Sequence, residues 1–131
     1  MNESIGFIGV GFMGEGMGHN LLKKGFALTV MAHRNREPVE RLLTAGSSEA
    51  NNVKEMAQNC SVIFLCVTGS PQVEAIVLGT DGILANAKPG TVIIDCSTSD
   101  PVSTGKLDAA ARAVGMHLVD APLGGTPKEA A

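Results

Sequence analysis

Five short apolar runs, at residues 5–9, 27–32, 61–67, 91–96 and 116–119, alternate along the whole chain with segments of helical spacing. Each run is rich in Val, Ile or Leu and too continuous to have one wet face. Strands that are apolar on both sides belong to parallel sheets covered by helices. The intervening segments carry helix signals. Met13, Met17 and Leu21 recur every four residues, Lys23 and Lys24 fall in the last turn, and Gly25 supplies the stop. Pro38 opens a second helix at its first position, Val39, Leu42 and Leu43 form its apolar side, and Gly46 ends it. Asp100 caps a third helix that starts at Pro101, turns Leu107, Ala111 and Val114 inward, and closes at Gly115. Weaker helical segments at 53–58 and 71–78 fill the gaps. Because crossovers between parallel strands are right-handed, this order predicts a doubly wound α/β domain. Its mainly parallel sheet has the order 3-2-1-4-5-6, with helices on both faces. A length of 131 residues, 44% of them hydrophobic, suits one such domain with a real core.

The first of these runs leads into a glycine loop. Gly9, Gly11 and Gly14 make G-x-G-x-x-G within "FIGVGFMGEG", after a predicted strand and at the opening of a predicted helix. In such a turn the first glycine permits a tight bend, the second admits a pyrophosphate to the backbone, and the third lets helix pack on strand. The backbone N–H groups and the helix dipole then face an anion. Gly9, Val10, Gly11, Phe12, Met13 and Gly14 are therefore the expected dinucleotide cradle of a Rossmann-type domain, and Gly18 serves helix packing.

The cofactor is specified at the end of the second strand. NAD-type sites place an acid there, about 20 residues beyond the loop, to hold the ribose hydroxyls. "VMAHRNR" has none. Ala32 removes the usual repulsion of a 2′-phosphate, and Arg34 and Arg36 offer charge-assisted hydrogen bonds to one. The reading is NADP(H) in preference to NAD(H), with Arg34, Asn35 and Arg36 around the phosphate and His33 able to stack on adenine. The competing reading makes the arginines a solvated charge run beside Glu37 and Glu40.

Other function classes fall away. A net charge of −3 does not suit a sequence-independent nucleic-acid binder. No apolar stretch reaches the roughly 18 residues of a membrane span, and Met1-Asn2-Glu3-Ser4 lacks the positive start of a secretory signal. A cytoplasmic protein is expected. Cys60, Cys66 and Cys96 read as buried thiols of a reducing compartment rather than a disulfide or zinc set. Asp95 and Asp120, each at a strand end, read as caps or partners of loop amides. His19 and His117 have no partner at metal-ligand spacing.

Four motifs in order, "GFIGVGFMGEGM", "SPQVEAIVLGTDGIL", "KPGTVIIDCSTSDP" and "VDAPLGGTP", make the chain resemble the β-hydroxyacid dehydrogenases over its whole length. That family includes 3-hydroxyisobutyrate dehydrogenase, tartronate semialdehyde reductase and the glyoxylate/succinic semialdehyde reductases. The resemblance implies that Cys66, Val67 and Thr68 form a turn under the nicotinamide, with Ser97 and Thr98 beside it. It further implies that Leu123, Gly124, Gly125 and Thr126 meet a substrate carboxylate. Gly124 stands where the family commonly has a serine, with Thr126 as a nearby hydroxyl.

In the resembled family a lysine from the following helical region protonates the alkoxide, and a C-terminal helical domain closes the cleft and mediates oligomers. No lysine of residues 1–131 matches that position, so the catalytic lysine is expected beyond Ala131. The expectation is the cofactor domain of an NADP(H)-dependent β-hydroxyacid dehydrogenase that reduces small semialdehyde or 2-oxo acids, with a small carboxylate-bearing aldehyde or hydroxy acid as partner, inactive by itself and a homo-oligomer only with its C-terminal half. The alternative is a free-standing NADP-binding or interaction module.

Overall fold

The computed structural model describes residues 4–10, 12–32, 36–67, 70–96 and 101–120. Its elements run β1 (Ser4–Ile8), α1 (Phe12–Lys23), β2 (Ala27–Met31), α2 (Glu37–Thr44), β3 (Ser48–Glu49), α3 (Val53–Asn59) and β4 (Val62–Leu65). After these come α4 (Ser70–Leu78), α5 (Ile83–Asn86), β5 (Val92–Asp95), α6 (Pro101–Ala113) and β6 (His117–Asp120). The strands form one sheet of order β3-β2-β1-β4-β5-β6, every pairing parallel. The doubly wound α/β expectation and its strand order are thus what the structure has.

Strand alternation explains why the apolar runs are continuous. Ile8, Ile63, Leu65 and Ile93 point to one face, where they meet Met56 of α3, Val73 and Val77 of α4, Ile83 of α5 and Leu107 of α6. Ile5, Phe7, Leu28 and Val30 point to the other, against Met17 and Leu21 of α1 and Val39 and Leu42 of α2. At the sheet centre Phe7 is in register with Phe64, and their rings stack with centroids 4.6 Å apart. Truncating a fully buried Ile63 or Leu65 to alanine costs about 2–5 kcal/mol, since the lost methyl groups leave a cavity that rigid strands cannot close.

The helix stops follow the sequence signals. After α1 the N–H of Phe26 donates to the Leu21 carbonyl, with Gly25 at φ +88° making the reversal. The same closure recurs after α2, Ser47 to Leu42, and after α6, Met116 to Ala111. Pro38 lies in the first turn of α2, one residue inside its start. Asp100, expected to cap α6, lies outside the described residues.

Four features differ from expectation. The third strand is the exposed pair Ser48–Glu49, marked by no apolar run, and the four-residue α5 has no signal of its own. Val114, expected inward, is 46% exposed because α6 ends one residue before it. β6 is not sealed on both faces: Leu118 packs toward the α6 side, while His117 and Val119 are exposed on this edge strand.

Candidate functional site

In this strand order the chain leaves β1 for α1 on one face and leaves β4 for α4 on the other. A crevice therefore opens between the carboxyl ends of β1 and β4, the place where doubly wound sheets take ligands. Gly9 sits at that point with φ +77°. A Cβ there would lie 2.4 Å from the Cys66 carbonyl oxygen and 2.9 Å from Cγ1 of Val67. The loop after β1 and the loop after β4 touch only because this residue has no side chain. The Gly9 N–H donates to the Met31 carbonyl at 2.9 Å, and the Cys66 N–H donates to that of Ile8 at 2.9 Å. Three strand ends are thereby tied into one rim, beneath which Val10 is buried.

The other glycines divide their work differently from the motif's usual assignment. A Cβ on Gly14 would make ordinary contact with the Phe7 ring at 3.6 Å. On Gly18 it would come within 2.9 Å of Leu42 and 3.3 Å of Leu28. The tight approach of α1 to its neighbours thus falls at Gly18, the residue assigned to packing. Gly11 lies outside the described residues, and Phe12 and Met13 are described only as the backbone that opens α1. Glu15, in the first turn of α1, is gripped by Arg41 of α2 through two hydrogen bonds of 2.6 and 2.9 Å, and by His19 at 3.3 Å. The Arg41 hydrogen bonds hold its carboxyl below the usual carboxylate range, against the opposing effect of burial.

At the end of β2, Ala32 is half-buried, while His33, Arg34 and Asn35 lie outside the described residues. Arg36 is described, and it is engaged. Its Nε and Nη2 donate to one Glu40 oxygen at 3.1 and 3.0 Å, and its Nη1 and Nη2 donate to the two Glu49 oxygens at 2.9 and 3.3 Å. The hydrogen bonds Arg36 donates, to Glu49 first and then to Glu40, raise the guanidinium above its ordinary range, and Arg36 in turn lowers Glu49. Two carboxylates on one guanidinium leave the trio with a net negative charge, so a phosphate reaching Arg36 must compete for its donors. Glu49 was not singled out in the sequence because its link to Arg36 spans 13 residues and a strand with no apolar signature.

The floor of the crevice is made by the ends of β4 and β5. Leu65 and Asp95 are in register, and each is followed by a cysteine. Cys60 is buried, as expected; Cys66 and Cys96 are half-buried instead and face each other. Their thiols share a hydrogen bond that pushes Cys66 up, assisted by burial, and holds Cys96 down. Val67 is buried at 7% exposure. Thr68, Ser97, Thr98, Leu123, Gly124, Gly125 and Thr126 lie outside the described residues. Asp95 is fully buried at the β5 end, and its register partner Asp120 is exposed. Among the described residues no group of three or more His, Cys, Asp or Glu side chains is arranged to hold a metal ion. No helix among them is long and apolar enough to cross a membrane.

A second concavity of about 350 Å³ lies at the opposite end of the sheet, between Ser4, Cys60, Lys88 and Thr91. It faces the amino ends of the strands, where the glycine turn and the helix starts after β1, β2 and β4 do not reach.

Comparison with known proteins places nearly the whole chain within one dehydrogenase-related family. Residues 4–131 match the family described as the NAD binding domain of 6-phosphogluconate dehydrogenase. The chain is 41% identical over 130 residues to the NAD-dependent L-serine dehydrogenase of Pseudomonas aeruginosa, a match covering 98% of this chain and 43% of that protein. It superposes with a TM-score of 0.84 on the Mycobacterium tuberculosis 3-hydroxyisobutyrate dehydrogenase solved with L-serine, at 27% identity over 98% of this chain and 43% of that one. Psf3, solved with NADP+ and 2-OPP, gives a TM-score of 0.84 at 29% identity, covering 95% of this chain and 44% of that one. The chain spans less than half the length of these relatives.

Proposed function

Because the chain belongs to the family of the NAD binding domain of 6-phosphogluconate dehydrogenase, we propose that it is the cofactor half of a dehydrogenase that exchanges a hydride between NADP(H) and a small hydroxy acid or its semialdehyde. The observation that carries this reading is Gly9. Its positive φ, and the Cys66 carbonyl that leaves no room for a Cβ at this position, are the tight first turn that a dinucleotide loop needs. The residues present fit the group: Gly9, which presents no side chain at the carboxyl end of β1, and the backbone start of α1 suit a pyrophosphate. When bound, the dinucleotide supplies or accepts the hydride.

The rest of the assignment follows the crevice. Arg34 takes the adenosine 2′-phosphate, which the uncharged Ala32 does not repel, and Arg36 contributes to the extent that Glu40 and Glu49 release it. Both cofactor types occur among the relatives, one NAD-dependent by name and one solved with NADP+. The preference therefore rests on this chain's own residues, above all on the uncharged Ala32. Cys66, Val67, Thr68, Ser97 and Thr98 border the nicotinamide half. Leu123, Gly124, Gly125 and Thr126 orient the substrate carboxylate through backbone N–H groups and one hydroxyl. The general acid comes from sequence outside these residues, in a cytoplasmic protein whose further helical part completes the cleft and the oligomer.

Titrating the 131-residue chain with NADPH and NADH by nicotinamide fluorescence, and then adding succinic semialdehyde, glyoxylate or methylmalonate semialdehyde, tests this. Tighter binding of NADPH with no steady oxidation is expected, since a missing general acid alone removes about 10²–10⁴-fold in rate. Failure to bind either nucleotide overturns the reading of the glycine turn, and turnover at ordinary enzyme rates overturns the placing of the acid.

A further inference from the structure

The cysteines at the crevice floor have no part in that chemistry, yet the fold puts them side by side. We infer that Cys66 and Cys96 form a reversible dithiol–disulfide site, oxidised by a small hydroperoxide such as hydrogen peroxide. The strand register carries the argument. Val62 pairs with Val92, Phe64 with Ile94 and Leu65 with Asp95, so the next positions bring Cys66 opposite Cys96. Side chains alternate along strands. Ile63, Leu65 and Ile93 point to the α4 side, and Val62, Phe64 and Cys66 to the α1 side, so both thiols lie on the α1 face. Hydrogen bonds continue past the ends of both β4 and β5: Cys66 N–H donates to Ile8 O at 2.9 Å, and Cys96 N–H to Leu65 O at 2.8 Å. This holds the two Cα atoms near the inter-strand spacing of about 4.8 Å, inside the roughly 4.4–6.8 Å that a disulfide spans.

The third cysteine shows what an inert thiol looks like in this molecule. Cys60 is 5% exposed, packed on the α3 side near Gly6, and burial pushes its thiol up. Cys66 and Cys96 are half-buried at the open end of the sheet. Their mutual contact also makes them unequal: it lowers Cys96, against burial and then the charges of Asp95 and Asp120, and raises Cys66. Thiolate is the attacking form.

The steps then balance. The Cys96 sulfur attacks one peroxide oxygen, the O–O bond breaks, and the departing hydroxide takes a proton to become water, leaving a sulfenic acid on Cys96. The Cys66 sulfur attacks that sulfur, the S–O bond breaks, and the hydroxide leaves with the Cys66 proton as a second water. Two thiols lose two electrons and one hydrogen peroxide gains them. A bridge at this half-buried, open end of the sheet is within reach of a small attacking thiolate and so can be reduced. If the reading of the crevice as a nicotinamide site also holds, bound cofactor covers the thiols and slows their oxidation.

The test is peptide mapping of the reduced 131-residue chain after brief treatment with equimolar hydrogen peroxide and an alkylating quench. The expected product has lost two hydrogens, links the peptides of Cys66 and Cys96, and reverts with dithiothreitol. Cys60→Ser still forms the link, whereas Cys66→Ser stops at a dimedone-reactive sulfenic acid on Cys96. A link through Cys60, bridges only between molecules, or oxidation of Cys96 in the wild type without any link overturns the inference. The mapping is done without cofactor, so it stands apart from the proposed function. A repeat with saturating NADPH, expected to slow the link at least severalfold, bears on that reading alone.

Discussion

Replacing Gly9 with alanine isolates what holds the rim of the crevice together. Two costs are added. The first is conformational: an L-residue at φ +77° pays roughly 1–2 kcal/mol. The second is a collision. The new Cβ would stand 2.4 Å from the Cys66 oxygen, about 1 Å inside the 3.4 Å at which ordinary contact begins. The obstacle is backbone and cannot rotate away. Moving it pulls on the Cys66 N–H bond to Ile8, worth about 1 kcal/mol, while overpacking of this kind adds about 1–3 kcal/mol. The total is about 3–6 kcal/mol, a large share of the roughly 5–15 kcal/mol by which a domain is stable. Gly25→Ala is the control, because Gly25 has φ +88° with nothing within 4 Å of its Cβ position. It should carry the conformational cost alone. In thermal unfolding followed by circular dichroism, each kcal/mol shifts Tm by about 3–4 °C for a chain of this length. Gly9→Ala should therefore melt at least 6 °C below Gly25→Ala. Equal melting temperatures would refute the claim that contact between the β1 and β4 loops depends on the missing side chain.

The other predictions concern charge. Arg36→Ala should weaken NADPH about tenfold or more, the worth of one charge-assisted hydrogen bond, and leave NADH nearly unchanged; equal losses in paired titrations would show that Arg36 does not read the phosphate. Glu49→Gln should act oppositely, improving NADPH binding about two- to fivefold, since it removes one competing charge in a solvent-screened setting. No selective gain would mean that Glu49 does not compete. Glu15 has a folded-state pKa below its unfolded one, so its pair with Arg41 stabilises above the ordinary carboxylate range and is lost as pH falls through the lowered value. Arg41→Ala should therefore melt lower than wild type at neutral pH and converge on it in acid, and a gap independent of pH would contradict the pairing.

The fold was legible wherever burial wrote it into the chain. Continuous runs such as VIFL and VIID declare strands covered on both faces, and Gly25, Gly46 and Gly115 mark helix ends that close as expected. Legibility failed where burial did. Ser48–Glu49 is held by two register pairs with β2 and exposes both side chains, so no hydrophobic pattern betrays it. Val114 carries an apolar letter at helical spacing from Leu107 and Ala111, but the helix stops at Ala113 and spacing means nothing past the stop.

The site divides along another line, between contacts that register dictates and contacts that side chains choose. Once Leu65 is known to pair with Asp95, the meeting of Cys66 and Cys96 follows by counting one residue further on each strand, although they stand far apart in the chain. The sequence held that information, but only in combination with the strand order. Arg36, Glu40 and Glu49 are different. Glu40 lies one helical turn from Arg36 and was in view as a neighbour; Glu49 lies 13 residues away on an exposed strand, and two flexible side chains must extend toward each other before they meet. An arginine near a phosphate site looks available until its competitors are found. The residues that set affinity for a charged group at an exposed rim are thus fixed by neighbours that carry no buried pattern. The glycine that shapes the turn, by contrast, is fixed by backbone sterics and is visible from the first reading.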